Sequence, residues 1–293
     1  MHYWRQEAFN VWHSPKLNDS PTIEDESYAY HLSEKLRNPS TQRIMITSIT
    51  ADEDSGQVEL YVQADNMEHL TANKLLLSDN EHHIEDFSIV KLSESVSDQR
   101  AISLVIDVSG SMSGDPIDAA RNAASGFVLN MEDYEKAELI AFNDSPSLVV
   151  PLSGNKQGLA SAIRALDAGG GTNISSALRY AIDRFLTVRG QLVLFIFTDG
   201  EDAEFSRAET RASLTERANR SGLPVYAIGF GAGYRTLSEV AEGTGGMFIA
   251  APNISSILNG FDEVAKTLER TYKVTYTLEE MENGRHTVEL GLK

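Results

Sequence analysis

The chain has 293 residues, 41% of them hydrophobic, no cysteine and a formal charge of −18. That length suits an α/β domain with a smaller partner, and that composition can bury sizeable cores, which excludes a disordered chain. Without cysteine there are no disulfides, zinc–thiolate sites or thiol nucleophiles, and an acidic excess spread along the chain argues against nucleic acid or an anionic membrane surface as partner.

Residues 1–42 carry Pro15, Pro21 and Pro39, the acidic cluster Glu24-Asp25-Glu26 and a short helical pattern around Tyr28–Leu36. They read as a lead-in segment. The start, Met1–Glu7, lacks the apolar stretch of a signal peptide, and no run of about 18 apolar residues occurs, so no membrane-spanning segment is expected. The absence of cysteine favours a bacterial source or a reducing compartment. The expected location is a bacterial cell surface, the periplasm or outside the cell, for a chain whose anchor or signal has been removed; the cytoplasm is the alternative.

From Arg43 the pattern is that of strands. Residues 44–49, 58–62, 74–77 and 87–90 are short apolar or alternating runs, separated by Asp, Asn, Ser and Gly, as in a β-sandwich. Asp52, Glu53 and Asp54 read as a solvated hairpin tip rather than a Ca²⁺ site. His82-His83 reads as an exposed polar loop.

Residues 101–270 alternate strand and helix. Strands are expected at 101–106, 138–142, 147–151, 191–197 and 225–228, and helices near 115–132, 156–166, 174–187, 204–219, 235–242 and 254–270. The turn Asn143-Asp-Ser-Pro146 makes the second and third strands antiparallel. The alternation predicts a doubly wound, mostly parallel sheet flanked by helices. The end returns to β, with residues 272–278 and 286–290 flanking Glu282-Asn-Gly-Arg285, a hairpin signal. Such a hairpin needs a host sheet, so residues 271–293 are assigned to the sandwich of 43–97. The α/β domain, 98–270, is then inserted in or follows that sandwich.

Asp107-Val-Ser109-Gly-Ser111 directly follows the first α/β strand, placing a carboxylate and two hydroxyls on one tight loop. Thr172 follows three glycines at 169–171, and Asp199 follows the strand 191–197. Loops at the carboxyl ends of strands converge where an open α/β sheet binds ligands. Oxygen ligands suit hard divalent cations, and only two of these five are carboxylates. An ion held so keeps residual positive charge and bound water.

These residues resemble the metal-ion-dependent adhesion site (MIDAS) of von Willebrand factor A (VWA) domains. Val225-Tyr-Ala-Ile-Gly-Phe-Gly231 and Leu237-Ser-Glu-Val-Ala-Glu-Gly-Thr-Gly-Gly246 are similar to that family's late strand, helix and turn. The resemblance covers roughly residues 100–270. It implies a Rossmann-like domain with a divalent cation, Mg²⁺ before Mn²⁺ or Ca²⁺. Ser109, Ser111 and Thr172 would bind the ion directly, Asp107 and Asp199 directly or through water, and a Glu or Asp of a partner protein would complete the shell. Residues 43–97 with 271–293 resemble the immunoglobulin-like companion of bacterial members, and the insertion is similar to the integrin β headpiece. A glycan on the Asn173-Ile-Ser175 sequon would crowd such an ion.

Three neighbours of the motif read more plainly. Asp115 in Gly114-Asp115-Pro116 reads as a helix cap rather than a second ion site, and Glu201 and Asp202 read as solvated. Enzyme readings lack their residues. Ser109 stands where a haloacid-dehalogenase-type phosphatase needs a carboxylate, and no GxxxxGK[ST] loop occurs. Tyr234 occupies the third glycine position after Gly229-x-Gly231, and no HExxH occurs. The expectation is a non-enzymatic, Mg²⁺-dependent protein-binding module. An intracellular scaffold partnering an AAA-type ATPase or stress-response complex is the alternative, and a purely structural ion is the third reading.

Overall fold

The computed structural model describes residues 8–13, 43–52, 55–65, 67, 69–80, 82–95, 99–186, 188, 190–200, 202–230, 235–278 and 285–293. The helical pattern at Tyr28–Leu36 lies outside them. Contacts divide the chain into two units, residues up to Glu94 with Arg270–Lys293, and Ser95–Glu269. Among the described residues no helix is long and apolar enough to cross a membrane.

The first unit begins with six strands, β1 (Ala8–His13), β2 (Arg43–Asp52), β3 (Gln57–Asp65), β4 (Leu75–Asp79), β5 (His82–Ile84) and β6 (Phe87–Lys91). His82-His83 therefore stands in a short strand rather than a loop, though both side chains are exposed. Ala8–His13, within the segment read as a lead-in, is paired as a strand.

The second unit runs β7 (Arg100–Asp107), α1 (Asp115–Leu129), β8 (Glu135–Phe142), β9 (Pro146–Ser153), α2 (Lys156–Arg164), α3 (Ile174–Phe185), β10 (Gln191–Thr198), α4 (Ala208–Arg220), β11 (Val225–Phe230), α5 (Arg235–Gly243), β12 (Phe248–Ala251) and α6 (Ile254–Glu269). Its sheet has the order β12-β11-β10-β7-β8-β9, and every pairing is parallel except β8 with β9. This is the doubly wound, mostly parallel sheet the alternation predicts. The four-residue edge strand β12 carries too little pattern to be seen in the sequence.

All eight residues of β7 and of β10 are buried, because helices cover both faces of a parallel sheet. Alternate residues feed separate cores. Ile102, Leu104, Ile106, Val193, Phe195 and Phe197 pack with Phe127 of α1, Ile163 of α2 and Phe261 of α6. Ala101, Val105, Leu192, Leu194 and Ile196 pack with α3, α4 and α5 through Leu178, Leu214 and Val240. The Phe195 ring lies 5.4 Å from Phe127 and 4.7 Å from Phe261, centroid to centroid.

After α6 the chain supplies β13 (Thr271–Thr277) and β14 (Arg285–Leu292) to the first unit. The expected hairpin between them is not what forms. β13 lies between β3 and β6, and β14 lies between β1 and β4 in a different sheet. Both edges of each strand are already paired, so neither has one left for the other; Asn283 and Gly284 lie outside the described residues. The two sheets, β1-β14-β4-β5 and β2-β3-β13-β6, share one core that includes Leu60, Leu75, Leu77, Val274, Val288 and Leu290.

Candidate metal centre

The strand order reverses about β7: the chain leaves it through α1 to β8 on one side, while β10 pairs on the other. The carboxyl ends of β7 and β10 therefore face a common crevice. Asp107 is the last residue of β7 and is fully buried. One of its oxygens accepts the Ser109 N–H at 2.8 Å and the other accepts the Thr198 hydroxyl. A single 3₁₀ turn, Gly110–Met112, pinned by the buried Met112, then presents Ser111 to the surface. The Ser109 and Ser111 hydroxyl oxygens are 3.0 Å apart, and Ser111 donates to Asp199 at 2.8 Å. Four of the five sequence-selected residues thus form one hydrogen-bonded chain.

Thr172 reaches the same place on the glycine loop. Gly169 N–H donates to Val108 O at 2.7 Å, Gly110 N–H to Gly170 O at 2.9 Å, and the Asn143 amide to Gly169 O at 2.9 Å. A Cβ on Gly170, whose φ is +86°, or on Gly171 would sit 2.6 Å from an Asp144 carboxylate oxygen. A Cβ on Gly200 would sit 2.7 Å from Thr172 Cγ2 and 3.1 Å from its hydroxyl oxygen. Glycine is therefore needed at Gly170, for its left-handed backbone, and at Gly200, for the close approach of Thr172, whereas the exposed Asp144 side chain facing Gly171 can move aside. The Thr172 hydroxyl makes no hydrogen bond among the described residues and stays available to a ligand.

Burial pushes the Asp107 carboxyl above its ordinary range; hydrogen bonds from Thr198 and Ser109 pull back part of that, and the Asp199 charge adds to it. Burial likewise raises Asp199, against the pull of the Ser111 hydroxyl. Among the described residues no cationic side chain is paired with either. Two desolvated carboxylates meet three neutral hydroxyls, an oxygen-only set whose missing element is positive charge. A hard divalent cation fits that set. No group of three or more His, Asp or Glu side chains that could hold a metal forms among the described residues.

Several contributors were not visible as such in the sequence. Asp202, read as solvated, is 9% exposed. Its carboxylate accepts the Ser175 N–H at 2.9 Å and hydroxyl at 2.8 Å and the Glu204 N–H at 2.8 Å. Burial by itself would raise its pKa, but the donors of Ser175, Glu204 and Phe205 outweigh it and hold the carboxyl below its ordinary range. Thr198 holds both Asp107 and the Gly200 N–H. Asp115 is the first residue of α1, whose cap is Gly114 at φ +83°, so glycine conformation replaces the expected side-chain cap. Asn173 caps α3 by accepting the Ser176 N–H at 2.9 Å. Glu201 and residues 231–234 lie outside the described residues.

A family model described as the von Willebrand factor type A domain matches residues 102–201. The chain is 30% identical over 167 residues to the uncharacterized protein sll0103 of Synechocystis, covering 55% of this chain and 40% of that one. Among solved structures, a von Willebrand factor type A protein from Catenulispora acidiphila superposes with a TM-score of 0.55 at 13% identity, over 86% of this chain and 65% of that one. This α/β unit has the von Willebrand factor type A fold. The VWA fold is shared with the PilB minor pilin from Streptococcus sanguinis, at TM-score 0.52 and 14% identity over 83% and 81% of the two chains. It is shared also with the mussel byssus proximal thread matrix protein 1, solved with a zinc-occupied MIDAS motif, at TM-score 0.54 and 18% identity over 66% and 50%. The chain thus spans less than half the length of its Synechocystis relative, and just under two thirds of the Catenulispora chain.

Proposed function

We propose that the protein is a non-enzymatic, divalent-cation-dependent protein-binding module. Asp107, Ser109, Ser111, Thr172 and Asp199 hold the ion, and a Glu or Asp carboxylate from a partner protein completes its shell. The observation carrying this reading is the pair of carboxylates, desolvated to different degrees, with hydroxyl neighbours and no cationic partner among the described residues. Mg²⁺ is favoured over Mn²⁺ and Ca²⁺, because two carboxylates and neutral hydroxyls leave water sites for exchange and residual charge to attract an acid. The ion supplies that charge; the chain supplies its place, through the Asp107–Ser109 and Ser111–Asp199 hydrogen bonds and the glycine loop under Thr172.

The antiparallel two-sheet unit is read as an immunoglobulin-like companion to the VWA unit, and the setting as a bacterial surface, periplasm or secreted protein. The lack of cysteine and the shared fold with a streptococcal minor pilin support that setting. The zinc-occupied site of the mussel protein supports a divalent cation.

Mg²⁺ titrated into chelator-stripped protein should raise its melting temperature. Capture of a partner from the source organism should need Mg²⁺ and disappear with EDTA, with Asp107→Ala and with Asp199→Ala. Capture that survives all three overturns the reading.

A further inference from the structure

We infer that Asp202 is a positioning residue for the ion. Its carboxylate fastens the segment that follows Asp199 to the first turn of α3, which directly follows the loop that carries Thr172, so that these two ligands are held as one body. The inference rests on the ion-binding reading above and adds to it a residue that touches neither the ion nor the partner.

Asp202 lies three residues beyond Asp199, and Ser175 lies three residues beyond Thr172. One carboxylate oxygen of Asp202 takes both donors of Ser175, its N–H at 2.9 Å and its hydroxyl at 2.8 Å. The other oxygen takes the Glu204 N–H at 2.8 Å, and the Asp202 carbonyl accepts from Ser206 N–H at 2.8 Å and hydroxyl at 2.9 Å. One oxygen thus serves the first turn of α3 and the other its own segment, and the residue is only 9% exposed. Asn173, on the same loop as Thr172, already caps α3. A second cap brought from 27 residues away adds a tie between loops that local capping does not provide.

That tie matters because of how Thr172 is held. Its hydroxyl has no hydrogen bond among the described residues, so its direction depends on its own backbone and on packing against the Asp199 loop. Gly200, adjacent to Asp199, lets the Thr172 side chain lie against its backbone. Mg²⁺ demands a near-ideal octahedron, whereas Ca²⁺ accepts longer, irregular and variable shells. Loosening the tie should therefore hurt Mg²⁺ far more than Ca²⁺. Loss of a partner that orients a metal ligand costs about 10- to 100-fold in affinity.

The test is calorimetric titration of the full, chelator-stripped chain with Mg²⁺ and, separately, with Ca²⁺. Asp202→Ala should weaken Mg²⁺ binding about 10-fold or more while Ca²⁺ affinity changes much less. Ser175→Ala, which removes one donor and leaves the buried carboxylate its N–H partners, should show the same selectivity change in smaller degree, and it decides the matter if Asp202→Ala does not fold. Asp202→Asn, which keeps an acceptor oxygen, should recover part of the Mg²⁺ affinity. Unchanged Mg²⁺ affinity, or equal weakening of both ions, overturns the inference, the second outcome being that of a merely structural contact. A wild-type chain that takes up neither ion overturns the ion-binding reading itself, and this one with it.

Discussion

The two ends of the VWA sheet handle charge in opposite ways. At the amino ends, Arg100 of β7 is 1% exposed and pairs with Glu135 of β8. It also donates to Gln191 of β10 at 2.5 Å and to Leu268 O of α6 at 2.6 Å, while Glu135 accepts the Glu132 N–H at 2.7 Å. Cation and anion both come from the chain, and the group is closed. At the carboxyl ends Asp107 and Asp199 have only hydroxyl and amide donors, and burial raises both. A buried charge that lacks its complement normally loses its proton balance or its place in the fold. Asp107 is buried and Asp199 half-buried at the carboxyl end, so the contrast with the closed pair at the amino end is what the proposed ion site would exploit.

Breaking the closed end should have the largest effect. Arg100→Ala strands Glu135 without its partner, and removing one member of a buried pair costs about 3–5 kcal/mol, measured by urea unfolding. At the open end the cost should appear only with metal. Ion at 100 times its dissociation constant stabilises a fold by about 2.7 kcal/mol. Asp199→Ala should erase that increment in a thermal melt and leave the metal-free melting temperature equal or higher.

The pH dependence sharpens the contrast with a sign. The raised carboxyls of Asp107 and Asp199 stabilise the metal-free fold below their unfolded pKa, and this contribution is lost as pH rises through their folded values. Asp202, held low, stabilises above its unfolded pKa, and that is lost as pH falls through its folded value. Melting temperatures of wild type and Asp107→Asn across the acidic range should converge at low pH. The Mg²⁺ increment should grow with pH as the ion displaces protons. The smallest effect is expected at the top of β8, where Asn143→Ala deletes one bond to the glycine loop and should cost about 1 kcal/mol in urea unfolding.

What could be seen in the sequence follows from which forces are local. β7 and β10 were legible as continuous apolar runs because both faces are buried, and their loops were legible because oxygen-bearing residues fall at regular spacing beyond them. Asp202 was not, because an aspartate beside an acidic neighbour reads as solvated until its donors are known, and those on Ser175 come from the first turn of α3, 27 residues earlier. The β13–β14 hairpin failed for the same reason: Asn283-Gly284 is a local turn signal, while the two strands are claimed by partners more than 180 residues away, Leu60 opposite Val274 and Leu77 opposite Leu290. At Gly114 a positive φ, which no periodicity reveals, set the start of α1.

The polar ends of β7 also answer a problem its apolar faces create. Between its ends β7 is apolar except at Ser103, whose hydroxyl donates to the buried Glu138 of β8 at 2.8 Å; over the rest of the strand a slip of one residue exchanges one buried aliphatic for another. With Ser103 between them, Arg100 and Asp107 remove that freedom like pegs at the two ends of a ruler, roughly 23 Å apart at about 3.3 Å per residue. Any slip would pull Arg100 from Glu135 and Asp107 from Thr198 together. The spacing that sets Asp107, and the serines that follow it, at their height above the sheet is thereby measured from the opposite side of the domain.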